Sequence, residues 1–289
     1  MVVEKIVRQS MVIRPSGRST DFISPSFGHG CLYNCSYCYM KRHKPEGLSV
    51  SDESSITDIL TEINSHAWFA VVDKPNQTHP EYITYDISCN EDFALHAKYY
   101  DWQRIFKFFK THPHAMGSFA TKYVNKDLLE FNPDGKVRIR FSLMPQKYAD
   151  LLEPNTTKII DRVRAINDFI EAGYDVHVNF SPVIVTDNWL EEYRILFEGV
   201  DALVDRKYKH LVKAEVIFLT HNEQKHLYNL EHELPGEDLL WKPEIQEDKI
   251  SQYGGKNIRY NRNLKKEYIK QWRALHDEVI PWNTIRYIF

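Results

Sequence analysis

The sequence predicts an α/β protein built on a parallel sheet. Two observations carry this. Six apolar, β-rich runs alternate with helical patterns, and no internal repeat or low-complexity linker interrupts them. One intervening helix is also written plainly: Val163, Ile166, Phe169 and Ile170 share a stripe, Gly173 stops it, and a strand follows at once. Strands that alternate with helices are joined by right-handed crossovers and so lie parallel.

The strand candidates are 21–27, 82–87, 117–121, 137–143, 175–182 and 212–219. Each is β-branched or aromatic and bounded by polar or turn residues. The helix candidates are 52–67, 101–110, 158–172, 189–204 and 222–233. After about residue 244 the pattern changes. Gln252-Tyr253-Gly254-Gly255-Lys256-Asn257-Ile258-Arg259-Tyr260 reads as a hairpin turning at Gly254-Gly255. A helix over 264–279 and a short apolar strand over 284–289 complete the chain. The expected division is therefore a main domain, 1–243, and a hairpin and helix extension, 244–289.

Composition bounds the function. The chain has 289 residues, 43% hydrophobic, with 17 Tyr and 15 Phe, enough to bury a sizeable core. No apolar run approaches the roughly 18 residues of a membrane helix, so no membrane partner is expected. The start, Met1-Val2-Val3-Glu4-Lys5, has no signal-peptide apolar stretch. Four cysteines, three of them clustered, suit a metal site in a reducing compartment better than a disulfide framework, which points to the cytoplasm. A net charge of −3 gives no global attraction for nucleic acid, so such binding would need a local basic patch. Oligomeric state is not written in this composition.

The densest chemistry is Cys31-Leu32-Tyr33-Asn34-Cys35-Ser36-Tyr37-Cys38, a C-x3-C-x2-C run. Three thiolates on one loop can hold an iron–sulfur cluster and leave one iron without a protein ligand, open to a small molecule. Two other readings stay open. One is a structural zinc with His29 or His43 as fourth ligand. The other is three inert, buried cysteines. The loop is rich in Gly, Asn and Tyr, which favours a metal. The fourth cysteine, Cys89, ends the second strand candidate. Reactive groups gather at the C-terminal ends of parallel barrel strands, so its position admits chemistry as well as packing.

The cysteine run, with Tyr37 before its last cysteine, resembles the cluster motif of the radical S-adenosylmethionine superfamily. That resemblance implies a six-stranded parallel partial (β/α)6 barrel. It also implies a [4Fe-4S] cluster on Cys31, Cys35 and Cys38, S-adenosylmethionine on the open iron, and a reductant or electron-donor protein. A longer ordered set resembles one branch, the spore photoproduct lyase family. The set is Tyr37-Cys38-Tyr39, Cys89 with polar residues after it, Thr121-Lys122-Tyr123 and Arg140-Phe141-Ser142. It continues through Ala172-Gly173-Tyr174, Ser181-Pro182-Val183 and Tyr253-Gly254-Gly255-Lys256 to Tyr260, so it covers 24–289.

The resemblance implies repair of UV-damaged DNA. A 5′-deoxyadenosyl radical would take a hydrogen from a methylene-bridged thymine dimer, the bridge would break, and a cysteine would return a hydrogen to give two thymines. Cys89 would be the donor, with Tyr39 and Tyr37 as relays and Tyr37 near the adenine. Lys122, Ser142 and Ser181 would contact S-adenosylmethionine. Three departures stand out. Glu91 occupies a position where the family has a small hydroxyl residue, and its carboxylate suits the methionine amino group. Gln252 replaces an arginine before Tyr-Gly. The relatives also carry an N-terminal region with no expected counterpart here.

Lys249, Lys256, Arg259, Arg262, Lys265 and Lys266 interleave with Tyr253 and Tyr260. Cations with stacking rings suit a nucleic-acid groove and an extruded lesion, which makes Tyr253, Lys256, Arg259 and Tyr260 candidate DNA contacts. The same pattern also describes a plain edge ribbon. Radical chemistry on another lesion, a modified base or a peptide is a further reading. A non-catalytic, zinc-bound nucleic-acid-binding protein is another.

Overall fold

A computed structural model describes residues 3–7, 10–44, 47–69, 74, 78–250 and 254–289. The first elements are β1 (Val3–Ile6), β2 (Arg14–Pro15), β3 (Phe22–Ile23), β4 (Gly28–Gly30), α1 (Met40–His43), β5 (Leu48–Ser51) and α2 (Glu53–Phe69). Then come β6 (Ile83–Asp86), α3 (Phe93–His96), α4 (Trp102–Thr111), β7 (Ala115–Thr121), β8 (Val137–Leu143), α5 (Gln146–Leu152), α6 (Ile159–Glu171) and β9 (Asp175–Val183). The last are α7 (Trp189–Leu203), β10 (Lys213–Phe218), β11 (Thr220–His221), α8 (Glu223–Glu231), α9 (Glu237–Leu240), β12 (Gln246–Ile250), β13 (Lys256–Tyr260), α10 (Arg262–Val279) and β14 (Thr284–Ile288).

The chain forms two compact units. The first holds Met1–Leu32, Lys44–Phe141 and Ala165–His177; the second holds Tyr33–His43, Ser142–Arg164 and Val178–Phe289. In the first, the strand order is β2-β3-β6-β7-β8. β3, β6, β7 and β8 pair in parallel, while β2 is antiparallel to β3. A small sheet, β1-β5-β4, accompanies them. Phe93, Phe106 and Phe119 form the aromatic centre, with Phe93 5.4 Å from Phe106 and 5.0 Å from Phe119. All three are fully buried, each contributing on the order of 2 kcal/mol.

In the second unit β9, β10 and β14 are neighbours, and β10 and β14 run parallel. Phe180 of β9, Phe197 of α7 and Trp272 of α10 meet at ring distances of 5.1–5.4 Å. A separate antiparallel sheet has the order β11-β13-β12.

Local chemistry explains the boundaries. Asp101 and Asn222 cap α4 and α8, each accepting from an N–H at 2.9 Å. At the end of α6, Gly173 has φ +92° and the Tyr174 N–H closes on the Phe169 carbonyl at 3.0 Å. That is a glycine stop with its capping bond.

All six expected strands are present. The first is shorter than expected because Pro25 cannot donate to a ladder, and Gly28–Gly30 then pairs with β5 instead. β2 adds a strand at the edge of the first unit's sheet, and β14 adds one beside β10 in the second. Among the described residues, no helix is long and apolar enough to cross a membrane.

Candidate active site

In the first unit, the turn after β6 carries Cys89, Asn90, Glu91 and Asp92. Cys89 is half-buried. Asp92 accepts from Leu95 N at 3.2 Å, capping α3, from Thr121 Oγ1 at 2.6 Å and from Lys122 N at 2.8 Å. One carboxylate thus sets the start of α3 and the end of β7, and so places Lys122.

Glu91 is a correction to the sequence reading. Expected at the cofactor's amino group, its side chain is fully buried. One carboxylate oxygen accepts from the Gly28 N–H; the other faces His96 Nδ1 at 3.0 Å and the Tyr100 hydroxyl at 3.3 Å. Burial, with the Glu91 carboxylate beside it, pushes the Tyr100 phenol well above its usual range. His96 Nε2 in turn accepts from the Leu32 N–H at 3.3 Å, and the Gly30 N–H donates to the Asn90 carbonyl at 3.0 Å.

Strand alternation puts Val137, Ile139 and Phe141 of β8 on one face and Arg138 and Arg140 on the other, yet all are buried. Arg140 pairs with Asp86 at 2.8 Å and Arg138 with Asp175 at 2.6 Å. Ser118 Oγ and Arg138 Nη1 are buried without a hydrogen-bond partner in the structure.

Cys31 belongs to the first unit and Cys35 and Cys38 to the second. In the second unit, the Cys38 N–H donates to the Cys35 carbonyl at 3.1 Å, making a tight turn. Ser36 anchors it: its N–H reaches the Leu152 carbonyl at 3.0 Å and its hydroxyl the Pro235 carbonyl at 2.8 Å. Asn229 Nδ2 donates to the Ser36 carbonyl at 2.8 Å. The Tyr37 hydroxyl donates to Glu153, whose other oxygen meets Arg162 at 2.8 Å. Burial first, and the Glu153 carboxylate second, push the Tyr37 phenol well above its usual range.

Tyr39 is 42% exposed, its ring 6.0 Å from that of His43. Ser142 is buried, and its carbonyl accepts from Arg162 Nη1 at 2.7 Å. Ser181 is half-buried, and Asn179 Oδ1, two residues before it, is buried without a partner in the structure.

None of the four cysteines is in a disulfide. Among the described residues, no three His, Cys, Asp or Glu side chains are grouped to hold one metal ion. The donor set Cys31, Cys35 and Cys38 fits an iron–sulfur cluster chemically, since soft thiolates are its ligands.

The hairpin also departs from expectation. Tyr260, expected to stack on DNA, is 1% exposed, and its oxygen accepts from the Val185 N–H at 2.9 Å. Arg259 is paired with Glu247 across the hairpin at 3.0 Å, so its charge is partly neutralised. Lys256 is exposed at the start of β13. Tyr253 and Gln252 lie outside the described residues. A cavity of about 1000 Å³ is lined by Lys256, Asn257, Trp241, Asn222, Gln224 and His43.

A spore photoproduct lyase family model matches residues 1–289. The chain belongs to the spore photoproduct lyase family. The match starts well before residue 24, where the sequence resemblance begins. The spore photoproduct lyase of Bacillus subtilis (strain 168) is 25% identical over 213 residues, 73% of this chain and 60% of that protein. That of Geobacillus sp. (strain Y412MC61) is 24% identical over 204 residues, 68% of this chain and 57% of that protein. The chain thus spans about 60% of the length of these curated relatives. Among solved structures, a spore photoproduct lyase double mutant with bound AdoMet and dinucleoside spore photoproduct matches with a TM-score of 0.88. Its identity is 19%, over 99% of this chain and 82% of that one. At that identity the likeness establishes the α/β fold.

Sequence reasoning did not find His96, Gly28, Asp92 or the Arg162–Glu153 pair. Asp92 carried a signal, an acidic residue just before an apolar helical run. His96 and Arg162 carried none, because their roles depend on partners that folding brings beside them.

Proposed function

We propose that this chain is a radical S-adenosylmethionine enzyme that reverses a methylene-bridged thymine dimer in UV-damaged DNA to two thymines. The observation that carries this is the family match over the whole chain, joined to the ordered presence of Cys31, Cys35, Cys38 and, after β6, Cys89. The six expected strands are then read as a partial (β/α)6 barrel, with reactive groups at their C-terminal ends.

Cys31, Cys35 and Cys38 would hold a [4Fe-4S] cluster. With S-adenosylmethionine bound, that group supplies a 5′-deoxyadenosyl radical able to abstract hydrogen. Lys122, whose backbone N–H donates to Asp92, would pair its ammonium with the cofactor carboxylate, while Ser142 and Ser181 would offer hydroxyls. Cys89 returns a hydrogen atom to the product radical: its S–H bond breaks, a C–H bond forms, and a thiyl radical remains. Tyr39 would restore the thiol by giving up its phenolic hydrogen atom: its O–H bond breaks, the S–H bond re-forms, and a tyrosyl radical remains. Tyr37 is the poorer relay, because its hydroxyl is committed to Glu153. Lys256 and Tyr253 serve DNA. An electron-donor protein supplies the electron, and the setting is cytoplasmic.

The test is anaerobic reconstitution with iron, sulfide, dithionite and S-adenosylmethionine, assayed on dinucleoside spore photoproduct by mass spectrometry. The expected product is the repaired thymine dinucleoside. Cys89→Ala should still cleave S-adenosylmethionine but give adducts of the trapped radical. Clean repair by Cys89→Ala would remove the donor role. A fully loaded protein that leaves the photoproduct untouched would overturn the substrate.

A further inference from the structure

We infer that Glu91 and His96 are positioning residues that clamp the arm carrying Cys31. This rests on the proposed ligand role of Cys31 and adds residues that hold it in place. Three alternate backbone N–H groups lead into the cysteine loop, those of Gly28, Gly30 and Leu32. Each donates to the segment after β6: to Glu91, to the Asn90 carbonyl and to His96.

The side chains of Glu91 and His96 are both fully buried. Their order is fixed by chemistry. His96 Nε2 accepts from Leu32, so the ring proton sits on Nδ1 and is donated to Glu91. The Tyr100 hydroxyl holds the same carboxylate oxygen from another side. Gly28 lets the carboxylate come this close, since a Cβ there would lie 2.3 Å from Glu91 Oε2. The relay Glu91, His96, Leu32 N–H thus ends one residue from Cys31. It resembles the outer partners that orient metal ligands elsewhere. A loop so held keeps Cys31 in place before the cluster is loaded and resists its release afterwards.

The test uses His96→Leu, which removes the acceptor, and His96→Gln, whose amide oxygen can replace it. Hydrogen exchange on the apoprotein reads the clamp directly. In His96→Leu, residues 28–32 should exchange about tenfold faster, the scale of one lost hydrogen bond, while β8 keeps wild-type protection. His96→Gln should restore much of it.

On reconstituted protein well below its unfolding temperature, His96→Leu should lose iron to EDTA about tenfold faster than wild type. Wild-type exchange at 28–32 in His96→Leu would overturn the inference. So would uniformly faster exchange across the first unit, which marks a merely structural residue. Glu91→Gln is the second variant should His96→Leu not fold, and the same exchange outcomes apply. Wild-type protein that takes up no iron would instead sink the cluster reading. The apoprotein exchange result would still decide the clamp.

Discussion

Replacing Arg162 with Met should be among the most damaging single changes in the second unit. The guanidinium is fully buried and donates to the Glu153 carboxylate, the Ser142 and Thr157 carbonyls and the Thr156 hydroxyl at 2.7–2.8 Å. Met keeps most of the volume but strands a carboxylate that is itself fully buried, with the Tyr37 hydroxyl beside it. Breaking a buried ion pair from one side costs about 3–5 kcal/mol. The two carbonyls left short of donors add to this, so about 4–6 kcal/mol is expected. At 2–4 °C per kcal/mol for large domains, the midpoint should fall by roughly 10 °C or more. Thermal unfolding followed by far-ultraviolet circular dichroism measures the midpoint, and chemical denaturation the free-energy loss. The double variant Arg162→Met with Glu153→Leu should recover part of the loss, since no charge is then left alone. A loss below about 1 kcal/mol in Arg162→Met, or simple additivity in the double variant, would refute the reasoning.

Replacing Cys31, Cys35 or Cys38 with Ala should abolish visible absorbance and release of 5′-deoxyadenosine after reconstitution; full cluster content in any of the three would contradict the ligand set. His112 Nδ1 accepts from the N–H groups of His114 and Ala115 at 3.0 and 2.9 Å, and burial lowers its pKa from 6.5 to about 4. The unfolded state therefore binds the proton first, and stability should fall as pH drops from 6.5 towards 4; denaturation midpoints across that window should fall less steeply in His112→Asn. Lys256→Ala should weaken binding to duplexes of any sequence and lower the salt slope by roughly one unit in a fluorescence titration.

The central strands were legible because strands buried on both faces leave continuous runs that few other structures produce. The α6 stripe and Gly173 were legible for the same local reason. The β1-β5-β4 sheet was not: its strands have three or four residues, too short for any period to show. The cysteine loop stood out through spacing alone. Tyr260 misled, because Arg259-Tyr260 reads alike in a DNA-facing ribbon and in one tucked against its own protein. What decides is the Val185 N–H, 75 residues away in sequence. Glu91 misled in the same way. A carboxylate after a strand looks available until His96 and Gly28 are brought against it.

The close approach of Gly28 to Glu91 has an evolutionary consequence. Any side chain at position 28 collides with the carboxylate while residue 91 is Glu. A shorter residue at 91 removes the collision. A side chain at 28 must therefore either push the Glu91 carboxylate off its partners or be matched by a shorter residue at 91. With Glu at 91, growth at 28 costs the carboxylate its bonds to the Gly28 N–H, His96 and Tyr100. A paired saturation library would show this as epistasis between positions 28 and 91.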